Sequence, residues 1–336
     1  MAEKKALSKQ KARNILNTAS KQVVLVTGDV MLDQFIWGEV DRISPEAPVP
    51  IVEFKRESFM AGGAANVARN LTSLNCAAQM HSVIGRDETG KKLTVLLKND
   101  YVDCQSLISS TTRQTSCKTR IIAQRQQVVR IDRETRRDLA SQLTNRLIKS
   151  IEKDLSKSKA IIIGDYGKGI ITQDFLNKLK ELGKKHHTWL SLDPKPVHSL
   201  DLSELSLITP NRKEAFELAD IGDTTRHSQP LKDKNLLRTA KKLLDKLGLK
   251  ILLITLGELG MLVCQPGKKP FHIPTLAREV FDVSGAGDTV IATFTLAIAS
   301  GADPIEAAML ANHAAGVVVG KLGTATVTPK ELLESF

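Results

Sequence analysis

A chain of 336 residues, 42% of them hydrophobic, can form one large α/β domain or two smaller ones around a sizeable core. No apolar run reaches the ~18 residues of a membrane span, and the basic start MAEKKALSKQK has no apolar stretch behind it, so a cytoplasmic protein without a membrane partner is expected. The net charge of +11 admits nucleic acid or anionic small molecules, but 4% aromatic residues leave few platforms for stacked bases, and nucleic acid is not an expected partner.

The first ~20 residues read as an appended helix, an N-terminal extension over 1–21 ahead of a main domain over 22–336. QVVLVTGD (22–29) then opens a series of short β-branched runs, continued by AIIIGD (160–165), TWLSLD (188–193), LSLITP (205–210) and KILLITLG (250–257). Amphipathic helical patterns fall between them near 138–156, 172–185, 211–219 and 232–247. That rhythm predicts an α/β fold, a doubly wound and mostly parallel sheet flanked by helices. Two stretches break it: 35–62, with three prolines among strand-like residues, and 116–134, which alternates like a hairpin. Together they predict a small β-sheet lid, inserted and not separately folded. Cys76, Cys104, Cys117 and Cys264 show no C-x-x-C pair or regular spacing, which suits reduced thiols and not zinc or disulfides.

Near the C-terminal end, DVSGAGDTVIATF (282–294) places Ser284-Gly285-Ala286-Gly287-Asp288 ahead of a helix marked by Val290, Ile291, Phe294 and Ile298. Small residues admit a close ligand, and the unsatisfied N–H groups of a helix's first turn favour an anion, phosphate above all. A carboxylate there would repel phosphate unless it takes the proton from an attacking hydroxyl, which is general-base catalysis of phosphoryl transfer. The competing reading is that Ser284 or Asp288 merely caps the helix. A Walker A loop and the protein-kinase H-R-D and D-F-G set are absent, and TGDVMLD after the first strand does not supply the G-x-G-x-x-G of a dinucleotide-binding dehydrogenase.

DVSGAGDTVIATF resembles the C-terminal signature of the ribokinase-like, or PfkB, carbohydrate kinases, and AGGAANVARNLTSLNCAAQMHSVIGRDETG (61–90) resembles their N-terminal one. The likeness runs over roughly 22–335. It implies an ATP-dependent sugar kinase with Asp288 as base and the N–H groups of Gly285, Ala286 and Gly287 as an anion hole. TPNRKEA (209–215) matches the family's N-x-x-E motif. On the nucleotide side the resemblance therefore implies Asn211, Arg212, Lys213 and Glu214, with Mg²⁺ held through phosphates and water near Asn211 and Glu214. Asn211 is also a good helix N-cap with Glu214 three residues on. Thr255 and Gly257 in ITLGELG, and Asn312 in ANHAAGVVVGKLGTATV, complete the implied nucleotide site, while His313 reads as a packed helix residue. Asp33, Gly62, Gly63 and Asn66 are implied to hold sugar hydroxyls, and a monovalent cation such as K⁺ is implied near the Asp282 loop.

VTGDVMLDQFIWGEVDRISPEAPVPIVE, DYGKG (165–169), DPKP (193–196) and GKLGTATVTP (320–329) are similar to the PfkB subgroup that phosphorylates the anomeric C1 hydroxyl of D-glycero-D-manno-heptose 7-phosphate, toward the ADP-heptose of lipopolysaccharide core. Asp33 follows the first strand, the usual ligand crevice of such sheets; Asp29 lies four residues before it, so one of the two could instead cap a turn, and Asp33 is favoured for the sugar. Lys168 and Lys195 follow separate predicted strands, and Arg120 and Arg130 lie in the hairpin. They could converge on a substrate phosphate, though each alone also suits a solvated surface. The lid resembles a family element through which two subunits cover each other's sites, so a homodimer is expected. Some relatives carry a fused adenylyltransferase domain; without an H-x-G-H motif, a kinase alone is expected here. The rivals are a 1-phosphofructokinase-like or tagatose-phosphate kinase, or a non-catalytic sugar or nucleotide sensor on the same fold.

Overall fold

The β-branched runs lie side by side in a nine-stranded sheet, and a second sheet of four strands stands beside it. The structure is a computed structural model that describes residues 7–124, 126–196, 199–277 and 280–336. The first six residues of the expected extension and Arg125 of the expected hairpin lie outside the described residues. In chain order the strands are β1 (Val23–Gly28), β2 (Val30–Ile43), β3 (Pro50–Gly63), β4 (Ala77–Gly85), β5 (Leu107–Ser110), β6 (Ser116–Ala123), β7 (Gln126–Arg133), β8 (Ala160–Gly164), β9 (Trp189–Asp193), β10 (Leu207–Ile208), β11 (Ile251–Thr255), β12 (Met261–Cys264) and β13 (Phe271–Ile273). The α-helices are α1 (Lys9–Ala19), α2 (Ala64–Ser73), α3 (Glu88–Asn99), α4 (Ser141–Asp154), α5 (Gln173–His186), α6 (Arg212–Ala219), α7 (Lys234–Leu247), α8 (Ala286–Ala299), α9 (Pro304–Val318) and α10 (Pro329–Glu334).

The large sheet runs β13-β12-β11-β10-β9-β8-β1-β4-β5, parallel from β11 to β5, with β12 and β13 added antiparallel at one edge. Because strand side chains alternate, each parallel strand feeds two cores. Val24, Val26 and Ile162 pack with α2, α8 and α9, while Leu25, Ile161 and Ile163 pack with α4, α5 and α7. The expected strand at 205–210 is reduced to two ladder residues, since Pro210 has no N–H to continue it. Strands β4, β5, β12 and β13 lie outside the runs expected from sequence. Helix α1 is capped by Ser8 and buries Ala12, Ile15, Leu16 and Ala19 in the first core, so the described part of the extension is packed.

The smaller sheet has the order β3-β2-β6-β7. It is built by β2 pairing antiparallel with β3 and parallel with β6, which turns back as β7. Strand β2 is buried from Val30 to Asp33 and exposed by its last residues, while β7 is exposed throughout.

Candidate active site

Helix α8 is buried from Asp288 to Ala297, so the core fixes it and holds its first turn beside the ends of β8 and β9. Gly285 caps it at φ +78°, and a Cβ there would stand 2.6 Å from the Asn66 amide nitrogen, so both backbone and neighbour require glycine. The N–H of Ala286 donates to Val283 O at 3.2 Å, tying one of the three expected anion-hole amides into the turn.

Asp288 is 7% exposed and accepts from Asn66 Nδ2 at 2.7 Å and from the Tyr166 hydroxyl. Burial raises its carboxyl to about 6, the Asp33 charge adds to the rise, and the Tyr166 and Asn66 hydrogen bonds restrain it. Tyr166 is held in turn by Asp29, whose carboxylate accepts the N–H groups of Tyr166, Lys168 and Ile170 at 2.9–3.1 Å. Asp29 thereby clamps the DYGKG loop. At the end of β9, half-buried Asp193 accepts from Thr209 Oγ1 at 2.9 Å and is pushed up to about 8, first by burial and then by Asp288 and Glu214. Tyr166 and Asp193 lie in the quoted DYGKG and DPKP motifs, which is the only sequence signal that could have found them.

The expected sugar residues gather beside this turn. Asp33 is 4% exposed, accepts from Arg120 Nη1 at 2.5 Å, and lies so close to Gly62 that a Cβ there would meet Asp33 Oδ2 at 2.2 Å. Gly63 begins α2 at φ +61°. Asn66 is fully buried, its amide nitrogen given to Asp288 and its oxygen accepting from Arg69 at 3.4 Å. Next to Tyr166, a cavity of about 500 Å³ is lined by Met31, Lys118, Arg136, Gly167, Lys168 and Lys195. The structure thus brings Lys168 and Lys195 together and adds Lys118 and Arg136, which carry no motif. Arg130 is instead paired with Asp132 on exposed β7.

On the other side of α8's first turn a largely apolar cavity of about 510 Å³ takes in Thr255, Gly257, Ala286, Gly287 and Asn312. Asn312 Nδ2 donates to Pro274 O at 2.9 Å. Asn211 and Glu214 form a reciprocal capping box on α6, and Glu214 Oε1 also meets Lys195 Nζ at 3.0 Å. Arg212 and Lys213 do not line this cavity. Arg212 is committed to Asp223 and Asp233, and Lys213 is 85% exposed. Among the described residues no group of three metal-ligating side chains occurs, and no helix is long and apolar enough to cross a membrane.

Comparison with known proteins decides the family, because the pfkB family carbohydrate kinase profile matches residues 21–331. The chain belongs to the pfkB family of carbohydrate kinases. Among curated PfkB relatives, "Bifunctional protein HldE" of Geobacter sulfurreducens is 41% identical over 312 residues, covering 93% of this chain and 62% of that protein. The protein of the same name from Trichlorobacter lovleyi is 40% identical over 329 residues, covering 97% of this chain and 65% of that protein. The chain therefore spans under two thirds of these relatives' length. In fold it is similar to Arabidopsis thaliana ribokinase complexed with ribose and ATP, with a TM-score of 0.73, 20% identity and coverage of 94% and 98% of the two chains. It is also similar to Escherichia coli phosphofructokinase-2 in complex with potassium, with a TM-score of 0.76, 18% identity and coverage of 93% and 97%.

Proposed function

We propose that this PfkB sugar kinase transfers the γ-phosphoryl group of ATP to the anomeric C1 hydroxyl of D-glycero-D-manno-heptose 7-phosphate. The carrying observation is Asp288, a buried carboxylate with its carboxyl near 6, set between an apolar cavity and a cationic one. The apolar cavity suits a nucleotide base and ribose, and the cationic cavity suits a phosphate already on the sugar. Relatives named HldE at about 40% identity support the heptose reading.

In this reading Asp33 and Arg120 orient sugar hydroxyls, and Asn66 and Tyr166 hold Asp288 toward C1. The C1 oxygen attacks the γ-phosphorus as its bond to the β-bridging oxygen breaks; the hydroxyl proton passes to Asp288 and ADP leaves. First-turn amides of α8 stabilise charge on the migrating group. Mg²⁺ fits residues that offer few ligands of their own, since it prefers phosphates and water with one or two carboxylates. Burial and the neighbouring carboxylates of Asp288 and Glu214 raise Asp193 more than Lys195 offsets, so a cation would be favoured there. When bound, Mg²⁺ would neutralise phosphate charge near Asn211 and Glu214. K⁺ near the Asp282 loop would meet a carboxylate that already accepts from Ser284 N and Gly323 N, one bond on each oxygen.

The smaller sheet is proposed as a lid inserted in a domain over 22–336, and as a homodimer interface, because Ile43, Val49 and Phe54 are 51–60% exposed on β2, β3 and the turn between them. A cytoplasmic location belongs to the same reading, supported by the proposed use of ATP and a sugar phosphate. The deciding experiment is ATP turnover against phosphorylated and unphosphorylated heptoses, fructose 1-phosphate, tagatose 6-phosphate and ribose. Preference for heptose 7-phosphate supports the reading, and equal turnover of unphosphorylated heptose overturns it.

A further inference from the structure

Two of the cations that line the cationic cavity are already engaged by one carboxylate just outside its lining. Glu134 follows β7 on the segment leading to α4, and its side chain is 7% exposed. One oxygen lies 2.6 Å from Lys168 Nζ, and the other accepts from Arg136 Nε at 2.6 Å. Burial acts to raise the Glu134 carboxyl, but Lys168 and Arg136 more than reverse it and hold it below its ordinary range. It is therefore ionised, with one oxygen on each of two cations that line the cavity. The contact to Lys168 is an ion pair outside hydrogen-bond alignment, which leaves that buried oxygen without a hydrogen-bond partner among the described residues. Lys118 and Lys195 are likewise paired, with Asp132 at 3.5 Å and Glu214 at 3.0 Å, but among the described residues only Glu134 bridges two cavity cations.

We propose that Glu134 is an internal counter-ion that occupies the place of the substrate's phosphate on Lys168 and Arg136 and sets which anions can enter. An arriving phosphate must take both cations from a carboxylate that remains covalently close. Free inorganic phosphate has only that exchange to gain. A phosphate tethered to a sugar also brings the contacts of its hydroxyls with Asp33 and its neighbours, so it displaces Glu134 where the free ion does not. Glu134 thus acts as a specificity residue without touching the reacting atoms. The inference rests on the cationic cavity being the sugar-phosphate site, and its test is chosen to read the cavity without the sugar.

The test is calorimetric binding of inorganic phosphate to the full chain in the absence of sugar, comparing wild type with Glu134→Gln, which keeps shape and removes charge. Affinity for phosphate should rise about tenfold or more in the variant, the scale of a charge-assisted contact released to a new partner. Adding Lys168→Met to Glu134→Gln should remove the gain. In turnover assays phosphate should become a competitive inhibitor against the sugar phosphate and not against ATP. Unchanged or weaker phosphate binding by Glu134→Gln would overturn the inference, as would a gain that survives Lys168→Met. Should Glu134→Gln fail to fold, Glu134→Asp, too short to bridge both cations, must show a smaller gain of the same sign or the inference falls. If the sugar panel shows that no substrate phosphate is needed but phosphate binding still rises, the substrate reading fails and with it Glu134's role in sugar choice, while its exclusion of free phosphate from Lys168 and Arg136 stands.

Discussion

Replacing Tyr166 by phenylalanine removes one of the two side-chain donors that keep the Asp288 carboxylate ionised while leaving the ring's volume in place. A hydrogen bond to a charged group contributes about 1.5–3 kcal/mol. One pKa unit corresponds to about 1.4 kcal/mol, so Asp288 should move from about 6 by roughly one to two units upward. Since the base works only when ionised, turnover falls as pH drops through its pKa, and the acid limb should move alkaline by the same interval. Near pH 7 roughly 90% of the native carboxylate is ionised, against about 10–50% in the variant. The assay is kcat against pH at saturating substrates, following ADP release. The variant should recover to within a few-fold of wild type near pH ~9. An acid limb that stays in place under a uniform loss would refute the argument, as would a wild-type limb far from 6.

Asp288→Asn should lose roughly two or more orders of magnitude in kcat while retaining nucleotide binding, measured by turnover and by calorimetry with an ATP analogue. Lys168→Ala should raise KM for the sugar phosphate about tenfold to a hundredfold with little change for ATP, whereas Lys195→Ala, which frees Glu214 beside Asn211, should raise both. His81 is fully buried against Ser150 and Asp154, and burial pushes its imidazole down to about 4. Its folded pKa lies below the unfolded ~6.5, so stability should fall as pH drops from ~6.5 toward 4, by up to about 3 kcal/mol. Urea unfolding of wild type and His81→Gln across that window checks this, and parallel pH curves would reject it. Phe54→Glu on exposed β3 should shift the chain toward monomer in light scattering; a fully active wild-type monomer at micromolar concentration would remove the lid-dimer reading.

Strands buried on both faces were the most legible part of the sequence, because Ile161, Ile162 and Ile163 or Leu252, Leu253 and Ile254 leave no polar alternation to mistake for an exposed strand. Strand β4 was not, since Gln79, His81 and Ser82 interrupt its apolar residues and find their partners elsewhere in the chain. The α8 turn could be read because its glycines and acid are consecutive. The support of its acid could not, because Tyr166 and Asn66 stand 122 and 222 residues away. Arg212 and Lys213 show the limit of contiguity: the third residue after the cap, Glu214, returns to it, while Arg212 turns to Asp223 and Asp233 and Lys213 to solvent.

Strand β2 carries Asp33 at one end of its run and Ile43 at the other, and its ladder is interrupted in register with its neighbours. The β2–β3 pairing slips between Trp37 and Gly38, and the β6–β7 pairing slips between Ile121 and Ile122, residues that lie opposite Ile36 and Trp37. Bulges concentrate twist and bending, so these two make a transverse crease across the sheet. Below the crease, Asp33, Lys118 and Arg120 are carried by the core; above it, Ile43, Val49 and Phe54 can follow a neighbour. In the lid proposed above, such a crease would let the tip bend against a neighbour while Asp33 and Arg120 keep their places beside Asp288.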